Sequence, residues 1–91
     1  MPRSDEFIEL VAAVDGILQA QAKADAGYFT ATCGRAVEDA EAQAIEAAFL
    51  KAYRWQYIHS GARHPHFGKI LSSLVTEAQG QRIQQALATL Q

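Results

Sequence analysis

The sequence predicts a small all-α protein, a helical bundle of about four helices, two longer and two shorter. Apolar residues recur at intervals of three and four along most of the chain, which is the period of a helix with one buried face. Strand-forming residues cluster in one short segment without a partner strand. A chain of 91 residues is expected to form one helical domain over residues 1–91 with a limited core. We therefore expect oligomerisation to complete the bundle.

The first predicted helix runs from Ser4 to about Asp25 and ends at Ala26-Gly27. Its apolar stripe covers more than half of its circumference and consists of Phe7, Ile8, Leu10, Val11, Val14, Ile17 and Leu18. Residues 28–33, YFTATC, lie between two glycines and are rich in strand formers. We interpret them as a connector or as the opening turns of the next helix, with pairing to a second copy as the alternative.

The second predicted helix, from about Arg35 to His59, is expected to be the longest. Acidic residues lie near its start and basic residues near its end, as the helix dipole favours. Its last two turns are apolar or aromatic on nearly every side, which indicates burial against more than one neighbour. The predicted core positions are Ile45, Phe49, Ala52 and Gln56, with Ala48, Tyr53, Trp55 and Tyr57 beside them.

Two shorter helices are predicted after Ser60-Gly61, where glycine readily takes the left-handed conformation that ends a helix. Pro65 is suited to the start of a compact helix of about ten residues. Its apolar side chains are Phe67, Ile70, Leu71, Leu74 and Val75. Thr76-Glu77-Ala78-Gln79 matches a capping box. The helix that follows carries the stripe Ile83, Leu87 and Leu90.

Charge is distributed unevenly behind a formal net charge of −2. Residues 1–46 carry nine acids against three bases, and residues 47–91 carry five bases against one acid. We interpret this as contact between acidic and basic faces of neighbouring helices, within one molecule or across a dimer. Because the basic density is low, nucleic acid is not an expected partner, and a nucleic-acid-associated regulator is the weakest alternative.

The expected location is the cytoplasm. Cys33 is the only cysteine, so no intramolecular disulfide forms and a reducing compartment is favoured. The N-terminus turns acidic before any apolar run that would suit a signal peptide, and no stretch has the length of a membrane span. Neither export nor a membrane partner is expected.

Residues 51–69, KAYRWQYIHSGARHPHFGK, form the segment with the richest chemistry. They hold all three histidines, the only tryptophan and four basic side chains, without a carboxylate. His59, His64 and His66 supply three nitrogen donors, so a metal ion is one alternative, although their spacing matches no diagnostic zinc motif. The competing interpretation is that these imidazoles cap backbone groups or face water.

Arg54, Arg63 and Lys69 suggest a second alternative, an anion site. They bracket a helix end and a new helix start, where free N–H groups favour a phosphate or carboxylate. The competing interpretation is that Arg54 and Lys51 pair with acids of the first helix.

The function that the sequence favours is a helical protein–protein interaction or assembly module. Its partner is expected to be itself, as a homodimer or higher oligomer, or a helical protein of a larger complex. The predicted interface residues are Phe7, Val11, Tyr53, Trp55 and Tyr57. No catalytic residue and no cofactor are predicted, because no nucleophile motif or nucleotide fingerprint occurs. A small-ligand or metal-binding protein is the alternative.

Overall fold

The computed structural model describes residues 3–90 and, among them, the side chains of residues 6–89. It contains four α-helices: α1 (Arg3–Thr32), α2 (Asp39–Ser60), α3 (Gly68–Leu74) and α4 (Glu77–Leu90). Residues 3–90 contain no strand, so the prediction of an all-α fold with two longer and two shorter helices is confirmed. Leu90 belongs to the predicted apolar stripe, but its side chain is outside the part of the chain whose side chains the structure describes. Among the described residues, no helix combines the length and apolarity that crossing a bilayer requires.

The two long helices pack side by side in opposite directions. Phe29, near the end of α1, meets Phe49 in the first half of α2, with ring centroids 6.5 Å apart. Asp15, near the middle of α1, reaches Arg54 in the second half of α2. α3 and α4 cover one end of this hairpin. The buried core consists of Val14, Leu18, Ala22, Tyr53, Tyr57, Phe67, Leu71, Ile83 and Leu87.

α1 is longer than predicted and has 30 residues against 22 in α2, so the prediction that the second helix is the longest is wrong. The predicted end at Gly27 is wrong, because residues 28–32 continue the helix and form neither a connector nor the start of α2. Phe29 packs edge-on against Phe49, and two threonine hydroxyls of this segment donate to carbonyl oxygens one turn earlier. These tertiary and local contacts outweigh the strand propensity of the segment. The glycine with positive φ that follows the helix is Gly34, at +85°.

α2 begins at Asp39, four residues after the predicted start, because residues 33–38 form the reversal between the long helices. Its buried side chains are Tyr53 and Tyr57, whereas Ala52, predicted for the core, is exposed. The buried face is therefore rotated from the predicted one. Because the last turns of α2 are apolar nearly all round, their periodicity does not define which side faces the core.

A corner, defined here as residues 60–76, connects α2 to α4. Gly61 ends α2 as predicted: its φ is +54°, and its N–H donates to the carbonyl oxygen of Tyr57. A short 3₁₀ turn, Gly61–Arg63, follows. α3 has seven residues and is shorter than predicted, because residues 65–67 form a turn capped by His64.

α4 starts at the predicted capping box. The backbone N–H of Thr76 donates to Gln79 Oε1 at 2.9 Å, and the N–H of Gln79 donates to Thr76 Oγ1 at 3.2 Å. These reciprocal bonds satisfy two of the free donors at a helix start. They orient α4 so that Ile83 and Leu87 are fully buried.

Candidate functional site

His64 is the buried histidine of the segment 51–69. It is 4% exposed, and its Nδ1 accepts the backbone N–H groups of His66 (3.1 Å) and Phe67 (3.4 Å). Because both bonds require an unprotonated Nδ1, the ring proton lies on Nε2, which has no hydrogen-bond partner among the described residues. Burial lowers the pKa of His64 by more than the neighbouring Tyr53 backbone raises it. His64 therefore caps the turn before α3 in its neutral form.

The other two histidines contact different side chains of α2: His59 lies within the helix, whereas His66 lies in the turn before α3. His59 stacks on the exposed Trp55 with ring centroids 4.3 Å apart, and His66 meets the buried Tyr53 edge-on at 5.6 Å. Within residues 3–90, no three His, Cys, Asp or Glu side chains are arranged to hold one metal ion. The structure thus does not assemble His59, His64 and His66 as a metal triad.

Arg54 belongs to the contact between the two long helices. Its Nε and Nη2 donate to the Asp15 carboxylate at 2.8 and 2.6 Å, and Gln19 Nε2 donates to the same carboxylate at 2.7 Å. The hydrogen bonds from Arg54 have the largest effect on the pKa of Asp15 and, together with the bond from Gln19, lower it although burial opposes them. The bonds to Asp15 in turn raise the pKa of Arg54. The interpretation in which Arg54 pairs with an acid of the first helix is therefore confirmed.

The predicted anion-binding residues are consequently not three free cations. Arg54 is engaged by Asp15, whereas Arg63, in the 3₁₀ turn, and Lys69, in the first turn of α3, are exposed. Lys51, the other basic residue considered for pairing with the first helix, is also exposed.

The predicted interface residues divide into buried and exposed ones. Tyr53 and Tyr57 lie in the core of the single chain, and Phe7 and Val11 are half-buried against it. The Tyr53 hydroxyl donates to the Asp25 carboxylate; burial first, and then this bond, raise the pKa of Tyr53 to about 12. Trp55 is the predicted interface residue that remains open, with 61% of its surface exposed.

Trp55 lies on the outer side of α2, in a shallow and mostly apolar groove. The groove has a volume of about 450 Å³ and is lined by Ala48, Lys51, Ala52, Trp55 and Gln56, here called the Trp55 face. The two alanines lie beside the indole, so the backbone of α2 is accessible to a closely packed neighbour. Tryptophan is among the residue types that are enriched at protein–protein contacts.

A second concave region, here called the corner cavity, lies between the end of α2, α3 and the start of α4. Its volume is about 610 Å³, and Tyr57, Leu71 and Val75 supply its apolar surface. Gln84 closes one side, because its Nε2 donates to the carbonyl oxygens of Tyr57 (3.1 Å) and Ile58 (3.0 Å). Sequence reasoning missed Gln84, since a bond from a side chain to a backbone 27 residues away leaves no local pattern.

Cys33 and His59 lie at opposite ends of α2. Cys33 is in the reversal before Asp39, whereas His59 is in the last turn of the helix. α2 has 22 residues, and a helix of that length spans about 33 Å. Cys33 and His59 are thus too far apart to act as a nucleophile and its base.

Comparison of the chain with protein-family models, with curated proteins and with solved structures finds no match.

Proposed function

We propose that this protein is a cytoplasmic helical assembly module that forms a homodimer through the Trp55 face. The exposure of Trp55 beside Ala48 and Ala52 carries the proposal. An indole that is 61% exposed on a regular helix leaves a large apolar area in water. Burial of aromatic side chains of this size supplies much of the binding energy of protein interfaces.

The charge pattern of α2 favours a second copy of the same helix as the occupant. Its first half carries Asp39 and Glu46, and its second half carries Lys51, which lines the Trp55 face. Glu41 and Arg54 are already paired within the chain, with Arg35 and Asp15. Two α2 helices packed in antiparallel directions bring the acidic half of each beside the basic half of the other. A two-fold symmetric contact uses the same surface on both copies, as most homodimers do.

Sedimentation equilibrium of the purified chain and of Trp55→Glu tests the proposal. The unmodified chain is expected to dimerise, and the variant to dissociate about 30-fold more readily, which corresponds to about 2 kcal/mol for an interface hot spot. Ile70→Glu is the matched control: it places the same charge at an exposed apolar residue of α3, outside the Trp55 face, and should leave the dimer intact.

Two outcomes would contradict the homodimer. Equal masses for the unmodified chain and Trp55→Glu at all concentrations would exclude the Trp55 face as the contact. A monomeric chain whose tryptophan emission does not shift with concentration would leave a different helical protein as the occupant of the face.

A further inference from the structure

The corner cavity contains a polar group that the fold leaves without a partner. Tyr57 is 2% exposed and lines the cavity, yet its hydroxyl makes no hydrogen bond with any residue of the described chain. The hydroxyl oxygen itself is not fully enclosed, in contrast to His64 Nε2, so its donor opens into the cavity. Tyrosine hydroxyls in protein interiors normally find a partner. The neighbouring Tyr53 follows this rule by donating to Asp25.

Gly80 keeps space open beside that hydroxyl. A Cβ at this position would lie 3.9 Å from the hydroxyl oxygen of Tyr57 and 3.7 Å from Cγ2 of Val75, both ordinary contact distances. Alanine would therefore fit. Glycine within a helix is less stable than alanine, so the residue present favours an open cavity over a more stable α4.

The charges around the cavity balance. Arg63 and Glu77 both line it, one cation and one anion. Because these two charges nearly cancel, a charged ligand gains no net attraction that would offset the loss of its hydration, so a molecule without net charge is the best electrostatic match. The volume of about 610 Å³ lies within the usual range of small-molecule sites.

We propose that the corner cavity binds a small organic molecule without net charge. Its apolar body lies against the Tyr57 ring, Leu71 and Val75, and one hydroxyl or carbonyl oxygen accepts a hydrogen bond from the Tyr57 hydroxyl. The proposal is independent of dimerisation, because it concerns the corner and not the Trp55 face.

Three phenolic probes with the same body and different charges test this site: 4-hydroxyphenylacetamide (neutral), 4-hydroxyphenylacetate (anionic) and tyramine (cationic). The backbone amide NMR signals of Gly61 and Gly80 report on the two sides of the cavity. The neutral probe should shift both signals saturably at millimolar concentration. The charged probes should each bind about five-fold more weakly, since neither gains a net attraction that offsets the loss of its hydration.

Tyr57→Phe should weaken the neutral probe about ten-fold, because it removes the hydrogen-bond donor and retains the ring. Gly80→Ala should weaken it as well, by filling the space beside the hydroxyl. Gly16→Ala is the matched control, since a Cβ there has no neighbour within 4 Å and lies in α1, and binding should be unchanged.

Three results would overturn the proposal. The absence of a saturable shift with any probe would mean that water satisfies the Tyr57 hydroxyl. Equal affinity of the neutral probe for the unmodified chain, Tyr57→Phe and Gly80→Ala would contradict the proposed site, and tightest binding of the anionic probe would identify a simple anion site at Arg63.

Discussion

The α1–α2 hairpin and the corner are held together by different kinds of contact. The hairpin aligns two long helices and joins them by side chain-to-side chain contacts, Arg54 with Asp15 and Tyr53 with Asp25. The corner has no long element, so side chains satisfy backbone groups instead, as His64 does before α3. The hairpin therefore depends on paired side chains. The corner depends on hydrogen bonds between side chains and the backbone and, at Gly68, on close packing against the backbone of Ala62.

Gly68→Ala should break the corner and have the largest effect of any single change considered. A Cβ at Gly68 would lie 2.2 Å from the carbonyl oxygen of Ala62, and a backbone atom cannot rotate away. We expect a loss of about 3 kcal/mol or more in the free energy of unfolding, measured by urea denaturation.

Gly16→Ala is its control in the hairpin. With open space at Gly16, alanine should stabilise α1 by about 0.5–1 kcal/mol through helix propensity. Equal effects of the two changes would show that the backbone contact at Gly68 does not constrain the corner.

Arg54→Ala should weaken the hairpin by about 2–4 kcal/mol, because it leaves the Asp15 carboxylate, 7% exposed, without its main partner. Asp15→Ala combined with Arg54→Ala should cost less than the sum of the two single changes, in a double-mutant cycle. Glu41→Ala is the control, since it breaks an exposed ion pair with Arg35 and should change the free energy of unfolding much less. Additive single changes would contradict a coupled pair.

The same contrast explains what the sequence predicted. The stop at Gly61 and the capping box at Thr76 were predictable, since each depends on residues within one turn. The pairing of Arg54 with an acid of the first helix was expected as one of two interpretations, from the uneven charge of the two halves. All three rest on signals that are visible in the chain without coordinates.

The remainder depends on contacts between distant residues. α1 continues past Gly27 because Phe29 meets Phe49, and the buried side of α2 is selected by α1 among several apolar sides. Tyr57 was predicted for an interface; it lies in the core, and its hydroxyl lines a cavity that exists only once α3 and α4 are in place. No periodicity in α2 distinguishes that tyrosine from Tyr53.

Replacement of the two tyrosines by phenylalanine sharpens the comparison further. Tyr53→Phe removes a donor to the Asp25 carboxylate and should destabilise the fold by about 1–2 kcal/mol. Tyr57→Phe removes a hydroxyl without a partner among the described residues and should leave the free energy of unfolding within about 0.5 kcal/mol of its original value. Denaturation of both variants at neutral pH measures the difference. Equal losses would mean that the Tyr57 hydroxyl is as well satisfied as that of Tyr53.

Acidification should weaken the corner and leave the hairpin contacts largely intact. Burial holds the pKa of His64 below its ordinary value of 6.5, so the unfolded chain binds a proton more readily than the folded one. The stability that neutral His64 provides is therefore present above about pH 6.5 and is lost as the pH falls through the folded-state pKa. Protonation of Nδ1 also breaks both bonds to the backbone, and the electrostatic effect of His66 lowers the pKa of His64 further.

His64→Asn isolates this effect, because the asparagine oxygen can accept the same N–H groups at a turn but does not titrate. The free energy of unfolding, measured from pH 8 to pH 5, should fall in the unmodified chain and should fall less steeply in the variant. The slope that remains in His64→Asn belongs to the other titrating groups. Parallel curves would show that His64 is not the group through which acid weakens the corner.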